Sequence, residues 1–392
     1  MSLVSGSRSV DVAVVGGGVV GLSAAWALRR RGLSVTLLER DALGEGASHV
    51  AAGMLAPVSE ADHGAAAPAA LMLGLSAAER WPGFATELEQ AAASSVGLRR
   101  TGTLLVARDR DEAEALDREI VFREGLGLRV TRLRPSEARA LEPALAPTLR
   151  LALQAPDDHS VDPRRVCAAL ARAAARAGAT LRAHACVDRL LVASGRVDGV
   201  LLADGERVTA GQVVLATGAW TELLEGVPGE ARVPVRPVKG QTLRLRDPGG
   251  PGLLTRVVRF GGTYLVPRED GRYVLGGTVE ERGFDLEPTA GAVLELLREA
   301  RELVPGVCEM TIEELAVGLR PSTPDNVPAI GRGALEGLVW AVGHHRNGIL
   351  LAPLSAELVV ACVCGEPPGS GGLGELARAC APARFAGQGA PT

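Results

Sequence analysis

The chain has 392 residues, 47% hydrophobic and 22% charged, with a net charge of −4. That length holds two domains or one large composite, and the balance is that of a globular protein. The net charge argues against a broad nucleic-acid or anionic-membrane surface, and an aromatic content of 3% leaves little for base-stacking platforms.

In chain order, Asp11–Val15 reads as a short apolar strand, followed at once by Gly16-Gly17-Gly18-Val19-Val20-Gly21. A helix then runs to Arg31, Gly32 stops it, and a second apolar run, Val35–Leu38, ends in Glu39. This is the strand, glycine turn, helix, strand and acid of a dinucleotide site. Gly16 permits the tight turn, Gly18 lets backbone approach a pyrophosphate, and Gly21 lets helix pack on sheet. The helix start offers free N–H groups and a positive dipole end. Glu39 lies 18 residues after Gly21, where it can accept from a ribose hydroxyl and repel a 2′-phosphate.

Gly44–Pro57 is rich in small residues that let backbone lie close to a flat ligand. The pattern predicts helix over most of Ala65–Leu98 and over Asp111–Leu126, then a strand at Leu151–Ala155. Asp162 caps a further helix, with Pro163 at its first position and Gly178 at its end. From Thr180 to Val208, short runs broken by Ser194-Gly195 and Asp204-Gly205 predict an antiparallel meander. Gln212–Ala216 reads as a buried strand, and Arg232–Leu245, Val257–Pro267 and Arg272–Val279 as strands with glycine-rich joins. Glu287–Val304 reads as helix, Leu338–Val342 as buried strand, and Gly348–Cys364 as a final helix. The Gly/Pro/Ala-rich tail after Pro367 is expected to fray.

The six cysteines show neither CxxC nor metal-ligand spacing, and are expected to be small core residues of a reduced, cytoplasmic protein. The first residues lack the apolar core of a signal peptide, and no apolar run reaches the roughly 18 residues that span a bilayer. The adjacent His344 and His345 suggest a metal, but no third ligand is evident and none is expected. Asp157-Asp158-His159 reads as a polar loop ahead of a helix cap. Parallel α/β segments interrupted twice by antiparallel ones predict a discontinuous nucleotide-binding domain with an inserted substrate domain.

Several segments together resemble the D-amino acid oxidase superfamily of flavoproteins, and within it the bacterial glycine oxidases of thiamine biosynthesis. They are Gly16–Gly21 with Glu39-Arg40, Ser48–Pro57, Val213–Trp220, Pro237–Gln241, Tyr264–Arg268, Gly318–Gly331 and Gly343–Pro353. The resemblance implies a Rossmann-like FAD-binding domain (1–80, 152–230 and 320–392) and an inserted α+β substrate domain on an antiparallel sheet (81–151 and 231–319). It implies non-covalent FAD. Gly16, Gly18, Val19, Val20, Gly21, Glu39 and Arg40 would hold its ADP half, Ala47, Ser48, Ala52, Gly53 and Met54 the pyrophosphate and ring side, and Val187 the adenine. His344, His345, Arg346, Asn347, Gly348, Ile349 and Leu350 match the segment that cradles the flavin ring.

By the same resemblance, Arg320 clamps the substrate carboxylate, Arg346 is a second arginine nearby, and Tyr264 closes over the carboxylate. An arginine suits that task because its planar fork grips both oxygens and stays charged. The implied reaction is oxidative deamination of glycine, sarcosine or a small D-amino acid by oxygen, giving a 2-oxo acid, ammonia and hydrogen peroxide. A homo-oligomer is a further expectation, since such relatives often assemble. Two departures bear on the pocket: His49-Val50 stands where the family often has small residues, and His345 where it often has an aromatic. A D-amino acid dehydrogenase that passes electrons to a quinone shares part of the pattern. So do a sarcosine-oxidase-like enzyme with covalent flavin and a flavin-binding module with a dead site.

Overall fold

Two eight-stranded sheets organise the chain. The structure is a computed structural model, and it describes residues 9–64, 66–366 and 372–386. In the first sheet, Val10–Val15 lies parallel between Val35–Leu38 and Arg207–Leu215. Thr180–Arg182 extends one side in parallel. Leu338–Val342 and then antiparallel Ala329–Arg332 extend the other. Parallel strands are buried on both faces, which explains runs such as Val-Ala-Val-Val without polar alternation. Helices Val19–Arg30, Pro163–Arg176, Gly348–Cys364 and Ala67–Ala92 bury Leu22, Trp26, Leu170, Leu358 and Trp81 in one core with Val12, Val14 and Leu37.

Capping follows the sequence. Asp162 accepts from the N–H groups of Arg164 and Arg165, with Pro163 at the first helical position. Gly32 and Gly178 follow their helices at φ values of +84° and +89°. The meander is present as Val187–Ala193 and Arg196–Leu202. Its third member is not a separate strand. Arg207–Leu215 is continuous, its first half antiparallel to Arg196–Leu202 and its second half parallel to Val10–Val15. No turn residue pair breaks Val208–Gln212, so the chain passes straight from ribbon to sheet.

The second sheet runs Thr311–Ser322, Arg236–Arg246, Arg272–Gly276, Thr263–Pro267, Val257–Phe260, Thr103–Ala107, Leu151–Ala155, Thr131–Leu133. Its strands are antiparallel except where Val257–Phe260 meets Thr103–Ala107. One face packs Leu243, Phe260, Leu265 and Tyr273 against Leu296 and Leu303 of helix Ala290–Leu303. The expected single strand 257–267 is two, turning at Gly261-Gly262. The Thr311–Ser322 strand has no counterpart among the expected elements, because Glu313-Glu314 and Gly318 mask its alternation.

Two elements run across the expected segment boundaries. Thr311–Ser322 carries Arg320 into the second sheet, and helix Ala67–Ala92 runs unbroken through position 80 to join the first core. In the tail, Gly372–Ala379 is helical and buries Leu376, with Cys380 and Phe385 beyond it. The expected fraying therefore does not apply there, and residues 367–371 and 387–392 lie outside the described residues. All six cysteines are free, and the core role holds for Cys167 and Cys380. Cys186, Cys308 and Cys364 are exposed. No described helix is long and apolar enough to cross a membrane.

Candidate active site

One cavity of about 450 Å³ runs from the glycine turn to the exposed face of the second sheet. At the first end, Gly16 has φ +108°, and a Cβ on it would stand 2.3 Å from the Ala216 carbonyl oxygen. Gly18 precedes helix Val19–Arg30 and offers no side chain to its first N–H groups. The Val19 N–H donates to Ser48 Oγ at 3.0 Å. Glu39 lines the cavity and also braces the turn, accepting from the Gly17 N–H at 2.5 Å and the Asp41 N–H at 2.9 Å. Val187 lines the same cavity. Arg40 lies 3.7 Å over the Trp220 ring, whose other neighbour is Phe284.

Ala47, Ser48, Ala52, Gly53 and Met54 form the next stretch of wall. Gly53 is compulsory, since a Cβ would meet the Val161 carbonyl oxygen at 2.2 Å. Two arginines missed in the sequence reading hold this loop from the second sheet. Arg244 donates to the carbonyls of His49, Val50 and Ala51. Arg268 donates to Ala52 O at 2.6 Å and Val161 O at 3.0 Å. Burial pulls both guanidinium groups down to about 10. Val50 lines the cavity, whereas His49 sits 3.8 Å from Glu45 and 3.6 Å from Glu314.

The end of the Leu338–Val342 strand delivers His344, His345, Arg346, Gly348 and Ile349 to the cavity. His344 is buried and pushed down to about 4, its Nε2 2.9 Å from Ser355 Oγ. His345 is pulled down to about 3 by burial and by Arg346, Arg320 and Arg236, and its Nδ1 pairs with Ser322 Oγ at 2.5 Å. Both rings are neutral at pH 7. Arg346 is exposed.

Three expected cofactor residues do not line the cavity. Gly21 packs against Gly16, where a Cβ would stand 1.9 Å from its carbonyl oxygen. Asn347 is the residue before helix Gly348–Cys364. Leu350 turns into the first core, and its carbonyl accepts from Trp81 Nε1 at 2.8 Å.

At the far end, Arg320 Nη1 donates to the carbonyls of Thr278 at 2.9 Å and Lys239 at 3.3 Å. Its guanidinium lies where a Cβ on Gly240 would be, 2.3 Å from Nη1. Gly277 leaves the matching space on the other side, since its Cβ would meet Tyr264 Oη at 2.9 Å and Arg320 Nη2 at 3.3 Å. The strand wall is clasped from behind: Lys239 is fully buried and its Nζ donates to Asp285 Oδ2 at 2.7 Å and Glu287 O at 2.6 Å. Burial lowers the Arg320 pKa and raises that of Tyr264. An arginine shifted so still carries its charge at pH 7.

A glycine turn at a helix start, an acid at the next strand end and a second helix start at Gly348 make a cradle for a dinucleotide. The side-chain space absent at Gly18, where a Cβ would sit 3.2 Å from Ser48 Oγ, fits that group. With this geometry in hand, the comparison with known proteins is direct. The family of FAD dependent oxidoreductases designated DAO matches residues 11–362, and the chain belongs to it. The cofactor class is therefore FAD.

Within that family the chain is 37% identical to a glycine oxidase of Geobacillus kaustophilus, over 89% of this chain and 91% of the relative. The crystal structure of glycine oxidase from that organism superposes with a TM-score of 0.83, covering 91% of this chain and 95% of the other. A bifunctional ThiO/ThiG protein of a Synechocystis strain is 36% identical over 89% of this chain, which spans 51% of that relative's length.

Proposed function

We propose that this chain is an FAD-dependent oxidase that deaminates glycine or another small amino acid, sarcosine or a small D-amino acid, to a 2-oxo acid, ammonia and hydrogen peroxide. The observation that carries this reading is the Arg320 fork. It is fixed by two backbone carbonyls, flanked by Tyr264, and opens into the cavity that begins at the glycine turn. Likeness to glycine oxidases over nearly the whole chain supports the same activity.

Glu39, Arg40 and Val187 would hold the ADP half of FAD, and Ser48, Ala52, Gly53 and Met54 its middle. When bound, FAD supplies the two-electron acceptor for the α-carbon hydrogen. Arg320 grips the substrate carboxylate in a bidentate charge-assisted pair, and Tyr264 limits its movement. The start of helix Gly348–Cys364 favours negative charge at the cavity wall. His344 and His345 each have a ring nitrogen committed to a serine hydroxyl, so neither is assigned as a base. The amine binds as the neutral form, and the site needs no strong acid or base of its own.

The pairing of Thr311–Ser322 in the second sheet supports a reading in which the two sheets would serve cofactor and substrate, divided after Ser322. A reduced, cytoplasmic location rests on the cysteine pattern, and homo-oligomeric assembly and a place in thiamine biosynthesis rest on the resemblance, with the ThiO/ThiG likeness supporting the last. The test is a panel of amines scored for peroxide with FAD-loaded protein. Absence of peroxide from every amine sinks the oxidase reading. Flavin bleaching under nitrogen without reoxidation by air would instead identify the quinone-linked dehydrogenase.

A further inference from the structure

The open face of the second sheet carries a cation that the reaction above does not use. Arg259 lies on strand Val257–Phe260, directly opposite Tyr264. Opposed residues of an antiparallel pair share one face, with Cβ atoms about 5 Å apart. Tyr264 is in turn opposite Gly276, and Gly276 opposite Thr242. Arg259, Tyr264 and Thr242 therefore form a cross-strand row, and all three line the cavity that holds Arg320. Gly276 gives up its side-chain space to the Tyr264 ring and the Thr242 methyl, since a Cβ there would stand 2.7 Å from Tyr264 Oη and 2.8 Å from Thr242 Cγ2.

The Arg259 guanidinium is held from one side only. Its Nη1 donates to Ser59 Oγ at 3.0 Å and stands 3.3 Å from Glu60 Oε1. Nε and Nη2 have no hydrogen-bond partner among the described residues, and neither is among the buried unsatisfied atoms. Arg268, by contrast, spends both ends of its fork on two backbone carbonyls. Arg259 instead presents an unused edge to the cavity.

Segment 56–61, which carries Ser59 and Glu60, is braced independently of Arg259. Asp158 accepts from the N–H groups of Val58 and Ser59 at 3.0 and 2.7 Å. Arg123 donates to the carbonyls of Val58, Ser59 and Ala61. The loop does not need Arg259 to hold its shape.

Charge completes the case. Arg320, Arg346, Arg259 and Glu60 all line the cavity; Arg346 and Glu60 both act electrostatically on Arg320, and Glu60 pairs with Arg259, which sets three cations against one anion in this group. A glycine carboxylate neutralises one of the two surplus charges. A substrate with two carboxylates neutralises both.

Resting on the amine-oxidase reading, we infer that Arg259 is a second anion clamp of the same site, and that the preferred amine carries a second carboxylate. Arg320 takes the carboxylate on the reacting carbon. Arg259 takes the other, exchanging its contact with Glu60 for the substrate. The second carboxylate can sit on the nitrogen substituent or on the side chain, and matched pairs separate these sources.

The experiment uses FAD-loaded protein and amine-free acids, so it does not depend on turnover. Calorimetry compares thiodiacetate with (methylthio)acetate, and succinate with propionate. In at least one pair the dicarboxylate binds about tenfold tighter or better, the scale of one charge-assisted contact. R259Q removes that advantage, and E60Q, which deletes the competing carboxylate, increases it. Peroxide assays then compare iminodiacetate with sarcosine and D-aspartate with D-alanine, and the carboxylated member of the favoured pair has the higher kcat/KM. No dicarboxylate advantage in the unmodified protein overturns the inference, as does an advantage that survives R259Q or falls in E60Q. Dicarboxylate binding without peroxide from any amine would instead remove the oxidase reading and leave the clamp.

Discussion

The two ends of the cavity are built from different material. The cofactor end is mostly backbone: a glycine turn, two helix starts and a loop whose shape depends on Gly53. The proposed substrate end is mostly side chains, with Arg320, Tyr264 and Arg259 on separate strands of one sheet. Backbone sites come from contiguous residues, so their spacing is visible along the chain. Side-chain sites come from residues that only strand pairing brings together. On the proposed assignment, binding of a large cofactor and choice of a small substrate are separable properties.

The largest effect that sharpens this contrast is at the clamp. Arg320→Ala should lower kcat/KM by about 100-fold or more while flavin absorbance of the purified protein is unchanged. Unchanged kinetic efficiency would remove the residue from its role.

At the other end, Gly16→Ala forces a Cβ to within 2.3 Å of a backbone oxygen at a φ of +108°. We expect a loss of roughly 3 kcal/mol in denaturant unfolding together with weakened FAD retention. A variant that keeps both stability and colour would show that the turn tolerates more than its geometry allows.

A smaller effect is expected at Gly240→Ala, which crowds the guanidinium rather than deleting it. KM should rise by about tenfold, with bound flavin retained, because Arg320 must leave its two carbonyl partners. If KM is unchanged and FAD is lost instead, the separation of the two ends fails.

A last effect, on stability rather than on catalysis, concerns the brace behind the proposed substrate end. Burial pushes the Asp158 carboxyl up to about 6, against hydrogen bonds from Ser59 and Val58 that favour its charged form. Its unfolded value is about 4, so the folded state holds the proton more tightly. The stability it contributes is complete below about pH 4 and is lost as pH rises through about 6. Relative to Asp158→Asn, the unmodified protein should therefore lose on the order of 2 kcal/mol between pH 4 and pH 7. Parallel Tm–pH curves for the two proteins would contradict this.

The same contrast explains what was legible in the sequence. The Asp162-Pro163 cap could be read because it acts on residues two and three positions on, and Gly16, Gly18 and Glu39 because they stand at fixed spacing in one strand, turn, helix and strand unit. The Thr311–Ser322 strand could not be read as an element, since its partner is Arg236–Arg246 and its alternation is interrupted by acids and glycine. Arg244 and Arg268 were missed as loop anchors for the same reason: their targets lie near residue 50. Asp158 belongs to a stretch that reads as polar loop, yet it is fully buried under two backbone N–H groups. A buried acceptor of amides carries no pattern of its own. Leu350 follows the cradle residues in sequence, but it does not line the cavity: its side chain joins the first core and its carbonyl accepts from Trp81 Nε1.

Lys239 gives the substrate end a further property. Its buried ammonium ties the strand that flanks Arg320 to Asp285 and Glu287, and neighbouring Gln241 binds Glu280 and Thr289. The carbonyls that aim the guanidinium are consequently held by the protein's own bonds. The conformational entropy of aiming that fork is lost once, during folding, and not again at each substrate encounter.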